Sequence, residues 1–448
     1  MRLPERWRGA VALCAVLAAV IVPVVQEYTA PSAPRYTLAA ALWEDQTIEL
    51  DRFERNVFID RLELDGHLYS DKAPGQPFLS VPAYGLARLL GAESATVVRV
   101  RGNLGLWAVT LWSSVVPALL LALLMVRAAR PLGERAAVLG AGSIALGTLL
   151  LPYAVQLYGH VMASAFVFGA WGLLRCRAGT WRAALGAGLL AGAAVAVEYQ
   201  VALVVLVILG WLVVRSRARV LPFVLGGVPG AVALAAYQTA LLGSPFASTY
   251  SKKPAHEEAT PLVTGIPKPG QAVEILLGAR GILLFTPIIG LAVWGLWSLA
   301  RRSGPLCDDA VVGLAAITSL FLLQSGWPNP WGGEMPGPRY VIPALPFLAV
   351  GAAWAFAHRP RVAWVLAAWS TFSMMWPTLA RHLVPDGGWL IASQLTDVRI
   401  VGFMPTIWTM ALGPVGWAVY IGGIVLAARS VERRLLLLSA GSPPPAAR

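Results

Sequence analysis

The sequence predicts an all-α, polytopic integral membrane protein, and three observations carry that prediction. Hydrophobic residues make up 57% of the chain against 13% charged, and the mean hydropathy of +0.66 lies far above that of a soluble globular protein. Apolar runs of about 20 residues, enough to cross a ~30 Å hydrocarbon layer, recur from residue 9 to residue 427. The runs are continuous in Leu, Ala, Val and Gly and do not alternate in ten-residue segments, which excludes an outer-membrane barrel. A soluble enzyme is excluded by the same composition.

The first run, Val11 to Val25, follows Arg2, Arg6 and Arg8. Pro23 and the bulky Gln26-Glu27-Tyr28 offer no small-residue cleavage site, so a retained first span is expected in place of a signal peptide. Six further basic clusters flank later runs, at Arg127/Arg130/Arg135, Arg175/Arg177/Arg182, Arg215/Arg217/Arg219, Arg301/Arg302, Arg359/Arg361 and Arg429/Arg433/Arg434. If all seven clusters are cytoplasmic, an even number of crossings must separate any two of them. Twelve spans satisfy this, at about 9–26, 105–126, 136–153, 161–175, 183–198, 200–214, 220–241, 279–300, 309–325, 341–357, 362–379 and 407–428. The fifth and sixth share one apolar stretch, which a single long helix also explains. Both termini are then cytoplasmic, with 429–448 as a tail, and residues 1–448 form a single membrane domain. The net charge of +12 thus belongs to Arg beside spans, which points to membrane lipids as partners and not to nucleic acid. Cys14, Cys176 and Cys307 lack metal-ligand spacing or a CxxC pair and read as packing residues.

The opposite face carries the long loops, 26–98, 242–277, 324–340 and 380–406, with most acidic residues and all four lysines (Lys72, Lys252, Lys253 and Lys268). Loops this long point to function on the extracytoplasmic side. In the first of them, Tyr36 to Glu44 reads as a short helix, followed by a charged stretch with Asp51, Asp60 and Asp65. Phe78 to Leu90 is apolar but too short to span, and is expected in the interface with Tyr84 at headgroup depth. Between them, Asp71 and Lys72 are pinned by Pro74 and Gly75. A carboxylate beside a lysine there suits a lipid-borne phosphate, with Lys72 as the point charge, although a solvated turn has the same composition. Glu198, between two apolar halves, is costly near hydrocarbon and so a functional candidate, binding acceptor hydroxyls with Tyr199 and Gln200 or marking a solvated hairpin. His160 lies at the same level, suited to phosphate binding or proton transfer, or to a structural role. The Trp327-Pro328-Asn329-Pro330-Trp331 loop offers a ring to stack on a sugar, or an interfacial aromatic belt.

Tyr69-Ser70-Asp71-Lys72-Ala73-Pro74-Gly75 resembles the Tyr-Phe-Glu-Lys-Pro-Pro element of the lipid A aminoarabinose transferases and protein O-mannosyltransferases, members of the GT-C superfamily of polytopic glycosyltransferases. Three more pieces resemble that group in the same order. They are Tyr158-Gly159-His160, the Gly243 to Ser251 segment after the seventh span, and Trp331 to Tyr340, which contains Arg339. The resemblance covers residues 26 to 357. It implies transfer of a sugar, with inversion, from a polyprenyl-phosphate donor to a cell-envelope acceptor, with no nucleotide sugar in the site. Lys72, Arg339, Arg35, His160 and Tyr340 become candidate ligands of the donor phosphate, and Glu198, Tyr199 and Trp331 candidate acceptor ligands. Arg339 adds a fork of donors that Lys lacks, or anchors the span end by snorkelling.

One departure bears on catalysis. GT-C transferases usually carry an acidic residue shortly before an Arg-Tyr pair, and here Pro31, Ser32, Ala33 and Pro34 precede Arg35-Tyr36. Asp60, Asp71 and Glu27 are the substitutes for the catalytic base, and Asp71 alternatively orients Lys72 or binds a divalent cation. The Arg-rich, Ala/Val/Leu-rich composition fits a bacterial plasma membrane and a donor carrying arabinofuranose or mannose. A transporter or flippase of a lipid-linked precursor competes, but would place charges near the midplane in repeated, broken helices. A non-catalytic envelope assembly protein is the other competing class.

Overall fold

The computed structural model describes residues 5–97, 99–176, 180–249 and 265–440. Arg177, Lys252 and Lys253, and the Tyr250-Ser251 end of the third matching piece, lie outside the described residues. The chain is mostly helical, and each of the twelve apolar segments is helical over most of its length. By length and composition five helices among the described residues qualify to cross a membrane: Leu104–Leu132, Arg217–Leu242, Cys307–Ser325, Arg339–His358 and Ile407–Leu436. A sixth is the pair Pro269–Phe285 and Ile288–Ala300 if it counts as one span, bent by 90°. Three apolar helices are shorter: Trp7–Ile21, Trp181–Val197 and Tyr199–Arg215.

Two expectations about elements are corrected. The 279–300 segment is not one helix, because Pro287 supplies no amide donor and forces Thr286 out of the helical region (φ −132°, ψ 56°). The shared stretch around residue 198 forms two helices, as assigned, and not the alternative single one, since Glu198 is extended (φ −149°, ψ 111°) and separates Trp181–Val197 from Ala202–Arg215. Much of the expected tail continues the last helix, Gly416–Ala440, whose Arg434 lies 3.6 Å from Glu134.

The first long loop folds around an apolar core of its own, containing Tyr36, Leu38, Leu50, Phe53, Val57, Leu68 and Tyr84. The helix Ala33–Glu44 packs against the helix Gly75–Leu89, and between them runs an antiparallel hairpin, Arg61–Leu64 with His67–Ser70. Its two-residue turn, Asp65-Gly66, has positive φ at both positions (52° and 85°), the primed geometry that Asp-Gly adopts most readily. Tyr84 is fully buried, with its hydroxyl donating to Glu44 Oε1 at 2.6 Å and its ring edge-on to Tyr36 at 5.4 Å. Aromatic packing and the Glu44 carboxylate turn it towards the protein core and not towards lipid, and Leu86, Leu89 and Leu90 are exposed.

The bundle has two contrasting ends. At one, Arg175 and Arg215 converge on Asp308, Arg219 reaches the Leu174 carbonyl, and Arg130 lies over Trp7. At the other, the first loop meets the chain at Tyr158, at Ala196 and Val197, and at Thr378 and Arg381. Backbone bonds from Val25 to Pro405 and from Ile407 to Pro23 tie the start of the first loop to the last helix.

Candidate functional site

Two charged clusters meet at this second end. The strand His67–Ser70 stops at Asp71 and the helix Gly75–Leu89 begins four residues later, so Asp71 and Lys72 occupy a tight corner. Both are buried. Lys72 Nζ lies 2.8 Å from Asp71 Oδ2 and 3.1 Å from Asp60 Oδ2, and the Asp71 carbonyl accepts from Thr249 Oγ1 at 2.7 Å. Burial alone would lower the ammonium's pKa, but the Asp60 and Asp71 carboxylates outweigh it and hold Lys72 above its ordinary value, hence charged. Asp60 belongs to a charged stretch, yet its side chain is only 17% exposed because Lys72 draws it in.

The second cluster centres on Glu198. Its carboxylate receives Arg35 Nη2 at 3.3 Å and Gln200 Nε2 at 3.2 Å, with His160 Nδ1 at 3.6 Å. Arg35 also donates to the Pro31 carbonyl at 2.6 Å and lies over the Tyr158 ring. Gly75 lets the two clusters touch, since a Cβ there would sit 2.6 Å from the Ala196 carbonyl carbon and oxygen, two residues before Glu198. Arg35 and Arg339 both lie within electrostatic reach of Lys72. Arg339 Nη2 donates to the Tyr340 hydroxyl at 3.3 Å, and Tyr340 in turn stands edge-on to His160 at 6.3 Å. The structure thus brings together Lys72, Asp60, Asp71, Arg35, Arg339, Tyr340, His160 and Glu198, with Tyr199 opening the turn after Glu198.

Two candidates are not brought into this group. Glu27 is 2.8 Å from Arg381 Nε and 3.9 Å from Arg101 Nε, a clamp between loops. Trp331 is 6% exposed with Arg280 over its ring at 5.6 Å, so neither face is free to stack on a sugar as expected. Arg280 and His382 were not anticipated from the sequence. Arg280 donates to the carbonyls of Met335 (3.0 Å), Gly333 (3.3 Å) and Pro385, stitching two loops together. A lone Arg opening an apolar run was the signal available for it. His382 Nε2 is 2.7 Å from the Tyr158 hydroxyl, and burial, reinforced by Arg381, pushes its pKa down to about 3, so the ring is neutral. Tyr153, edge-on to His160, keeps its hydroxyl buried without a hydrogen-bond partner among the described residues.

The residues at Lys72 do not fit a divalent cation, because the ammonium already occupies the space between the Asp60 and Asp71 oxygens. A different group, Glu49, Asp51 and His67, brings its ligand atoms within 4.8 Å of one another beside the turn end of the hairpin. There, however, Asp51 is engaged by the Leu68 amide (2.7 Å) and by His67 Nδ1 (2.6 Å).

No family profile and no curated protein matches the chain. Among solved structures it is similar to ArnT from Cupriavidus metallidurans in the apo state, with a TM-score of 0.51 and 15% identity over 95% of this chain and 74% of that one. It is similar to the same protein bound to undecaprenyl phosphate, with a TM-score of 0.51 and 14% identity over 97% and 77%. The oligosaccharyltransferase of Archaeoglobus fulgidus superposes less well, with a TM-score of 0.46 and 11% identity over 94% and 59%. The chain therefore has a fold similar to that of ArnT, and five or six of its described helices are long and apolar enough to cross a membrane.

Proposed function

We propose that the protein is an inverting glycosyltransferase that moves a sugar, arabinofuranose or mannose, from a polyprenyl-phosphate donor to a cell-envelope acceptor on the extracytoplasmic side of a bacterial plasma membrane. The observation that carries this reading is a buried, charged Lys72 held between two carboxylates, with Arg35 and Arg339 beside it, in a fold similar to one solved with undecaprenyl phosphate. The twelve-span scheme supports the same reading, because it places both termini in the cytoplasm and this end of the bundle outside.

In the proposed reaction the acceptor hydroxyl attacks the anomeric carbon from the face opposite the phosphate. The new C–O bond forms as the bond to the phosphate oxygen breaks. Polyprenyl phosphate leaves with that electron pair, and Lys72, Arg339 and Arg35 stabilise its charge. The hydroxyl proton passes to a carboxylate, for which Asp60 is the best placed. It is the more exposed partner of Lys72, whereas Asp71 is fully buried and orients the ammonium. An arriving phosphate competes for Lys72 and so frees the Asp60 oxygen to accept a proton. Glu198, with Tyr199 and Gln200, lies next to this point and holds acceptor hydroxyls.

Separate Asn substitutions of Asp60 and Asp71, and Glu27→Gln, assayed with polyprenyl-phosphate arabinose and polyprenyl-phosphate mannose, test the assignment. Asp60→Asn is expected to lose about 10²- to 10⁴-fold in turnover with donor affinity retained. Full turnover in all three variants removes the first loop from the chemistry.

A further inference from the structure

At the arginine-rich end, far from the Lys72 site, a hollow of about 500 Å³ opens between the helices Val116–Ala129 and Gly159–Cys176 and the start of Cys307–Ser325. Its wall is apolar, built from Leu124, Phe168, Leu173 and Leu306, and its rim carries Arg127 and Arg175. Phe168 lies seven residues before Arg175 on one helix, so the wall runs about 10 Å inward from the rim.

The charges around the hollow do not balance. Asp309 is held by Trp171 Nε1 (2.8 Å) and Arg175 (3.1 Å), and Asp308 by Arg215 (2.8 Å) and Arg175 (3.4 Å). Both carboxylates are thereby neutralised. Arg127 remains exposed and makes no hydrogen bond or ion pair among the described residues, and Arg175 Nε is buried without a hydrogen-bond partner. An uncompensated guanidinium above an apolar slot selects an amphiphile with an anionic head. A soluble anion would satisfy the rim and leave the slot wet.

We propose that this hollow binds an anionic glycerophospholipid from the leaflet on the arginine-rich side, with its phosphodiester on Arg127 and Arg175 and an acyl chain against Leu124, Phe168 and Leu173. Gly172 forms part of the wall, and a Cβ added there meets nothing within 4 Å. A leucine at 172 therefore projects into the slot without touching backbone and takes the place of the chain.

The experiment uses the full chain in neutral detergent micelles, titrated with phosphatidylglycerol or phosphatidylcholine, with bound lipid counted by native mass spectrometry. The wild type should retain phosphatidylglycerol at least about five-fold better than phosphatidylcholine, the factor expected for one cation at a membrane surface. Arg127→Gln should bring that ratio close to one. Gly172→Leu should abolish retention of phosphatidylglycerol with the melting temperature unchanged, which separates a built slot from general attraction of anionic lipid to a basic surface. Equal retention of the two lipids by the wild type overturns the proposal, as does retention untouched by either variant. Displacement of phosphatidylglycerol by millimolar inorganic phosphate also overturns it, since the site would then belong to a soluble anion.

Discussion

Lys72 is the residue on which the site turns. Removing an ammonium from between two carboxylates breaks the buried Lys72–Asp71 pair from one side, which typically costs about 3–5 kcal/mol. Lys72→Ala should therefore lower stability as well as donor affinity. Arg339→Ala, whose side chain donates to the Tyr340 hydroxyl and lies over that ring, should separate the two effects. A lost charge-assisted hydrogen bond of about 1.5–3 kcal/mol predicts roughly ten- to hundred-fold weaker donor binding, measured by calorimetry with undecaprenyl phosphate, at nearly unchanged melting temperature. Lys72 and its neighbour Asp71 were legible in the sequence because Pro74 and Gly75 fix them locally. The approach of Asp60 from eleven residues away was not, because it depends on the intervening hairpin. Trp331 misled for a similar reason: nothing near it in sequence announces that Arg280 will cover its ring.

At the scale of elements, the hairpin is the piece that delivers Asp60 and Asp71 to one lysine. Its signal was present in Asp65-Gly66 between Leu62/Leu64 and Leu68, but the surrounding charges masked the alternation. Asp51 locks the turn end of the hairpin, and its pKa is lowered chiefly by the Leu68 amide, with His67 adding to the effect. His67 is raised, first by its bond to Asp51 and then by the charges of Glu49 and Asp51. The Asp51 contribution is present above its unfolded value of 3.8 and is lost as pH falls through the lower folded value. The His67 contribution is fully present below 6.5 and is lost as pH rises through its higher folded value. Hydrogen exchange at the Leu68 amide, corrected for intrinsic rates, should therefore show greatest protection between about pH 4 and 6.5, and Asp51→Ala should flatten the profile. Gly75 offers a second test at this scale. Gly75→Val drives a side chain into the Ala196 backbone and should push the Lys72 corner away from Glu198, reducing donor affinity with every charged residue intact. The long apolar helices are legible because composition alone reveals them, and so is the division at Glu198, a charge between two apolar halves, whereas the break at Pro287 depends on a single residue.

For the whole molecule, composition was enough to read a mostly helical chain rich in apolar spans, and its fold is similar to that of ArnT. What the sequence could not reveal was that turns from five separated segments close on one site, since those contacts are long-range. The twelve-span scheme predicts that cysteines introduced at residues 66 and 334 react with an impermeant probe in intact cells, and that those at 130 and 217 react only after permeabilisation. Reaction in the reverse sense would place the site on the cytoplasmic side. The central claim, sugar transfer from a polyprenyl-phosphate donor, is tested most directly by incubating the purified protein with undecaprenyl-phosphate arabinose or mannose and a bacterial envelope glycan acceptor, and measuring released undecaprenyl phosphate. Acceptor-dependent release from one of these donors, lost in Arg339→Ala, is the predicted result. No release from either donor, together with no measurable binding of undecaprenyl phosphate, would contradict it.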